Sequence, residues 1–167
     1  MKGKKTLFMC SKRAPIATYE KIFGWVESLT EKKEKEVVMC CNTTELEEEV
    51  LKSLLVNRIP TILIVMNRFR SGNNMQIQNA LKEKRILIVV MQQTDKKRWS
   101  PIDRNKHLIK MADHVVCGYI DKHGSLFPLL VGKEKFEALT HNFISDIIEE
   151  PDNLYQRWQH KYAPIVS

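Results

Sequence analysis

Long apolar runs are absent from this sequence. An α-helix needs about 20 apolar residues to cross a bilayer, whereas the longest apolar runs, 59–66 and 86–91, have the length of β-strands. The residues at 1–10 are charged but carry too short an apolar stretch for a secretory signal peptide. We therefore expect no membrane segment and a cytoplasmic location.

Cysteine and histidine are sparse, and their spacing does not suit metal binding. No C-x-x-C pair occurs, which excludes zinc-ribbon and thioredoxin motifs, and the five histidines show no metal-ligand spacing. All the cysteines fall in or at the ends of predicted strands. Two interpretations are open there: the cysteines are buried thiols, which is the commoner outcome, or they converge on a metal ion. We expect free thiols in a reducing compartment, with no metal and no cofactor. The cysteines are Cys10, Cys40, Cys41 and Cys117.

Motifs of common nucleotide-binding enzymes and hydrolases are also missing. The sequence has no G-x-x-x-x-G-K-[ST] loop, no G-x-G-x-x-G fingerprint, no G-x-S-x-G elbow and no H-E-x-x-H pair. Neither Asp95 nor Asp103 has an evident partner for general acid–base catalysis. These absences favour a binding protein over an enzyme.

Positive charge is what the sequence has in excess. Its 167 residues include 27 Lys and Arg against 20 Asp and Glu, a formal net charge of +7. A hydrophobic content of 43% and a charged content of 28% are typical of one soluble globular domain. The excess of cations favours anionic partners such as nucleic acid or nucleotides, although it can also serve solubility alone.

Short apolar runs alternate with amphipathic stretches along the chain. This alternation predicts an α/β fold with a mainly parallel, five-stranded sheet and helices on both faces. A Thr-x-x-Glu capping box at 44–47 and a proline at 101 mark the starts of two helices. Strands are predicted at 6–10, 36–41, 61–66, 85–91 and 113–120, and further helices at 17–33, 73–84, 134–150 and 153–162.

Ligands of parallel α/β sheets bind outside the carboxyl ends of the strands, so the residues after each strand are the candidates. Loop 11–15 places a hydroxyl and two cations at a predicted helix start, which suits an anion. Loop 92–100 combines cations with Trp99, and such a loop can contact phosphates and stack a base. These loops can also be explained without a ligand, as solvated turns, as simple helix capping by Thr44 and as a turn that needs a positive φ at Gly124. The candidate residues are Ser11, Lys12, Arg13, Asn42, Thr43, Arg68, Arg98, Trp99, Arg104, Asn105, Gly124 and Ser125.

Several of these residues resemble motifs of the DNA-processing protein A family, also called DNA recombination-mediator protein A or Smf, of the SLOG superfamily. The Arg-Asn-Lys at 104–106 is similar to the Arg-Asn-Arg that opens a helix in that family. The Met-Ala-Asp at 111–113 and the His-Gly-Ser at 123–125 are similar to the steps before and after its next strand. Loop 10–15 is similar to its Gly-Ser-Arg loop. The resemblance covers about residues 5–130.

The resemblance implies a doubly wound, Rossmann-like domain over residues 1–132, with C-terminal helices at 133–167 packed on the same domain. It also implies a homodimer that binds single-stranded DNA or another phosphate-bearing ligand without catalysis. Arg104 would contact phosphate, or alternatively form an ion pair with Asp103 or Asp113.

Two other functions stay open. One is a small-nucleotide binder or phosphoribohydrolase-like enzyme of the same superfamily, although the Pro-Gly-Gly-x-Gly-Thr-x-x-Glu motif of those enzymes is absent at 123–128. The other is a protein-interaction module whose ligand site has decayed. The segment 41–45 supports the second, because it has no glycine where the family has a Gly-rich loop.

Overall fold

A computed structural model describes residues 1–69 and 72–142 of the chain. This part contains strands β1 (Lys4–Met9), β2 (Glu36–Cys41), β3 (Thr61–Met66), β4 (Ile86–Met91), β5 (His114–Cys117) and β6 (Phe136–Ala138). They form one sheet in the order β4-β3-β2-β1-β5-β6, and every neighbouring pair is parallel. The chain builds the sheet outward from β1 to β4 and then crosses to the other side of β1.

Helices connect the strands and cover both faces of the sheet. They are α1 (Tyr19–Ser28), α2 (Glu45–Val56), α3 (Met75–Lys82), α4 (Pro101–Met111) and α5 (Phe127–Leu130). Because successive side chains of a strand point to opposite faces, the core has two halves. The helices α1 to α3 pack on the face that carries Phe8, and α4 and α5 pack on the face that carries Leu7. Among the described residues, no helix is long and apolar enough to span a bilayer.

Two helix starts follow directly from local sequence. Thr44 caps α2, because its hydroxyl accepts the Glu47 N–H at 3.2 Å while the Glu47 carboxylate accepts the Thr44 N–H at 3.2 Å. This arrangement confirms the predicted capping box. At α4, the Ser100 hydroxyl accepts the Asp103 N–H at 3.0 Å, and Pro101 is the first helical residue, as predicted.

The predicted α/β class with a mainly parallel sheet is confirmed, but the sheet has six strands in place of the predicted five. The helix predicted over 134–150 is wrong over its described part, 134–142, which contains no helix, and Phe136–Ala138 pairs in parallel with β5. A strand of three residues shows no alternation that sequence could reveal, and its pairing with β5 determines its conformation. The rest of that prediction, 143–150, and the helix predicted at 153–162 lie outside the described residues. The fifth strand is also shorter than predicted and ends at Cys117.

Phe136→Ala tests the sixth strand. Phe136 is fully buried in the core between the sheet and α5, so we expect its truncation to lower the free energy of unfolding by about 3–5 kcal/mol. Leu87→Ala is the control, because Leu87 is 45% exposed on the edge strand β4, and we expect it to cost about 1 kcal/mol or less. Urea denaturation measures both. Equal small losses for the two variants would contradict the burial of β6.

Candidate functional site

A cleft of about 100 Å³ lies at the carboxyl ends of β1 and β2, beside the first turns of α4. Its floor is apolar and includes Met9, Cys41 and Leu108. Polar side chains from four separate segments form its rim: Lys12, Thr43, Thr44, Glu47, Arg104, Asn105 and Ser125. Five of the predicted ligand-binding residues therefore lie together, although they are spread from position 12 to position 125 of the sequence.

Arg104 is a half-buried cation on one wall of the cleft. Its guanidinium lies 3.4 Å from the Asn105 side-chain oxygen, a long hydrogen bond. The Asp103 carboxylate accepts the Ser100 hydroxyl at 2.8 Å, and the Asp113 carboxylate accepts the Lys5 backbone N–H at 2.9 Å. Within residues 1–69 and 72–142 neither of these acids, nor any other, forms an ion pair with Arg104. The alternative prediction, in which Arg104 orients α4 through an ion pair with Asp103 or Asp113, is therefore wrong.

Glu47 stands on the wall formed by the start of α2. Its Oε2 accepts three hydrogen bonds, from the Thr43 N–H at 2.7 Å, the Thr43 hydroxyl at 2.8 Å and the Thr44 N–H at 3.2 Å. The N–H groups of Thr43 and Thr44, which could otherwise bind an anion, are thus already bonded to a side chain of the same helix. Sequence reasoning proposed Thr43 as a ligand-binding residue and missed Glu47, although the capping box already indicated its position.

Glu47 and Arg104 act on the same buried thiol. The pKa of Cys41 is raised to about 11, chiefly by burial and also by the negative charge of Glu47, while the positive charge of Arg104 lowers it. Opposite charges therefore face the floor of the cleft from two walls. In the described part of the chain these two side chains form no ion pair with each other.

Ser11 and Gly124 join the loops after β1 and β5. Ser11 is buried, its N–H donates to the Tyr119 carbonyl at 2.8 Å, and its hydroxyl accepts the Asp121 N–H at 3.0 Å. Gly124 has no positive φ, so that alternative is wrong. A Cβ added to Gly124 would lie 3.2 Å from the Asp121 carbonyl oxygen and 3.5 Å from the Ser11 hydroxyl. The tight contact is with Asp121 of the same loop, and the distance to Ser11 is an ordinary van der Waals contact. Crowding within the turn after β5 therefore favours a glycine here.

The remaining predicted residues lie around the cleft or away from it. Arg13 and Arg98 are exposed, and neither lines the cleft. Asn42 lines a separate small cavity between α2 and α3. Arg68 follows β3, which is separated from β1 by β2. The structure does not bring these four residues into the same cavity.

Trp99 is already in contact with protein groups. The Trp99 ring is half-buried against the core, and its centroid lies 5.1 Å from the centroid of the His107 ring. The Lys97 Nζ lies 4.0 Å from the centroid of the Trp99 ring. Stacking a base on Trp99 from the side of Lys97 would require that ammonium to move.

The cysteines are free thiols in largely apolar surroundings. The pKa of Cys10 is raised to about 11, mainly by burial. Burial is also the main cause of the raised pKa values of Cys40 and Cys117. Over residues 1–69 and 72–142, no three His, Cys, Asp or Glu side chains are grouped so that they could hold a metal ion.

No protein-family model and no curated protein matches this chain. Among solved structures, DNA processing protein A from Helicobacter pylori matches with a TM-score of 0.57 at 14% sequence identity. The match covers 95% of this chain and 80% of that chain. That structure concerns the unique single-stranded DNA binding mode of the Helicobacter pylori protein. At this identity the similarity shows a shared fold.

The raised thiol pKa values predict slow alkylation of the native protein. With pKa values of about 11 for Cys10 and Cys41, only about one thiol in a thousand is thiolate at pH 8, and the thiolate is the nucleophile. We expect the rate of iodoacetamide labelling at these two cysteines, followed by mass spectrometry, to rise about tenfold per pH unit from pH 8 to pH 10. In urea all four cysteines should react readily at pH 8. Rapid labelling of native Cys10 or Cys41 at pH 7 would contradict the pKa values.

Proposed function

We propose that this protein binds single-stranded DNA without chemical turnover, with one backbone phosphate held between Lys12 and Arg104. The observation that carries the proposal is that both cations line one cleft, and within the described residues neither has an acidic side chain as an ion-pair partner. Two cations in that state form a favourable environment for an anion.

The polar rim supplies what a phosphodiester needs. The Arg104 guanidinium can donate two parallel hydrogen bonds to a phosphate, and the Lys12 ammonium adds a mobile point charge. Asn105 and Ser125 lie at the same cleft and offer further donors to phosphate or sugar oxygens. Arg13 and Arg98, exposed outside the cleft, extend the positive surface along which a strand continues.

The volume of the cleft favours a strand over a small nucleotide. Pockets that enclose small-molecule ligands have volumes of about 300–1,000 Å³, whereas this cleft has about 100 Å³. A strand can place one phosphate there and leave its sugars and bases outside.

The homodimer and the cytoplasmic location implied by sequence stay predictions.

Arg104→Ala tests the phosphate contact. Loss of a charge-assisted hydrogen-bonding group should weaken the binding of a fluorescent oligothymidine by about tenfold to a hundredfold. The slope of log K against log salt should shrink by about 0.7, the share of one neutralised phosphate of a single strand. Fluorescence anisotropy at several salt concentrations measures both quantities.

Lys82→Ala is the matched control for Arg104→Ala. It removes the same charge from an exposed residue at the last turn of α3, near the amino ends of the strands. We expect both variants to melt within a few degrees of the wild type, and Lys82→Ala to keep its affinity and salt slope. Unchanged affinity and slope in Arg104→Ala would remove Arg104 from the site.

The absence of turnover is tested separately. Incubation with nucleoside monophosphates and triphosphates should release neither free base nor phosphate, because among the described residues that line the cleft Glu47 is the one carboxylate, with no second acid and no histidine to pair with it. Chromatography and a phosphate assay measure the products. Turnover that persists through purification and disappears in Arg104→Ala would show that the protein is an enzyme.

A further inference from the structure

Several backbone donors at the helix starts beside the cleft are bonded within the protein. At α2, the N–H groups of Thr43 and Thr44 donate to Glu47, and the N–H of Glu47 donates to Thr44. At α4, the N–H of Asp103 donates to Ser100. Sites for clustered phosphates commonly use free N–H groups at such a helix start. Because these donors are already bonded, an anion in the cleft depends chiefly on the cations of the side chains.

The negative charge of Glu47 remains inside the cleft. Its three hydrogen bonds all end on Oε2, and within residues 1–69 and 72–142 no donor reaches its Oε1. The carboxylate is half-buried. Two cations, Lys12 and Arg104, and one carboxylate leave the rim of the cleft with one net positive charge, which balances a single phosphodiester.

We propose that Glu47 shifts the selectivity of the cleft toward the isolated phosphates of a nucleic-acid strand and away from the clustered phosphates of nucleoside di- and triphosphates. This selectivity rests on the proposed function and deepens it. The repulsion from one fixed carboxylate grows in proportion to the charge of the ligand group beside it, as does the attraction to Lys12 and Arg104. Glu47 therefore reduces the advantage that a highly charged ligand would have in a cleft with two cations alone. A phosphodiester carries one charge and is balanced by the cleft, whereas a triphosphate brings about four charges to the same place.

Glu47→Gln removes this charge and keeps the local fold. Glutamine serves the third position of a capping box as glutamate does, so α2 retains its start. Suppose that removal of the carboxylate raises affinity about twofold for a ligand with one charge. Because electrostatic free energies add over charges, a ligand with about four charges then gains the fourth power of that factor, which is more than tenfold. We therefore expect the variant to bind ATP more than tenfold more tightly than the wild type, and oligothymidine about twofold more tightly.

The experiment compares full-length wild type, Glu47→Gln and Glu45→Gln. Glu45 is exposed, lies in the same turn and does not line the cleft, so its variant has the same net charge without the local effect. Calorimetry with ATP in magnesium-free buffer of low salt measures the polyphosphate, and anisotropy measures the oligothymidine. If Glu47→Gln lowers the melting temperature, Glu47→Ser repeats the test.

The selectivity is overturned if Glu47→Gln binds ATP no better than the wild type. It is also overturned if Glu45→Gln gains as much, or if wild-type protein binds ATP as tightly as the oligonucleotide. Failure of the proposed function has a different signature. In that case wild type, Glu47→Gln and Glu45→Gln all fail to bind oligothymidine, while the ATP measurements still report whether Glu47 repels a polyphosphate.

Discussion

The parallel pairing of β1 with strands on both of its sides is the constraint on which the rest of the structure depends. β1 pairs with β2 on one side and with β5 on the other, in registers that bring the carboxyl ends of all three strands to one edge. Each loop that follows a strand therefore emerges at that edge. Ser11 then joins two of the loops through its hydrogen bond with Asp121. The cleft exists because residues far apart in sequence are placed together by this pairing.

The position of α4 is held at both of its ends. Ser100 caps its first turn, and the Lys135 ammonium donates to the carbonyl oxygens of Ile109 and Ala112 at its last turn. Cations at a helix C-terminus satisfy carbonyl groups that have no partner in the helix and suit its dipole. Between these two anchors, Leu108 is buried against the sheet. The backbone that carries Arg104 is consequently well supported, which favours a defined phosphate contact.

The chemistry of the cleft differs from that of a glycine-rich phosphate loop. Such loops bring free backbone N–H groups close to the phosphates. Here the segment 41–45 has no glycine, and the N–H groups of Thr43 and Thr44 are bound to Glu47. Binding by side-chain cations makes affinity sensitive to salt. The fold is shared with DNA processing protein A of Helicobacter pylori at 14% identity, and the residues of this chain determine how its own cleft works.

The local features of the structure could be predicted from the sequence. The strands at 36–41 and 61–66, the capping box of α2 and the start of α4 at Pro101 follow from apolar runs and capping residues within a few positions of one another. The loops that contain the cleft cations could also be predicted, because parallel sheets place ligands at the carboxyl ends of their strands.

Features that depend on contacts between distant residues could not be predicted from the sequence and follow from the packing of the fold. Phe136–Ala138 is a strand because it pairs with β5. The Ser11 hydroxyl accepts a hydrogen bond from Asp121, which lies 110 positions away in the sequence. Lys12, Glu47 and Arg104 share one cleft, whereas Arg68 and Asn42 lie elsewhere. No local pattern carries this information, since the packing of helices on both faces of the sheet sets which loop ends meet and how opposite charges face each other.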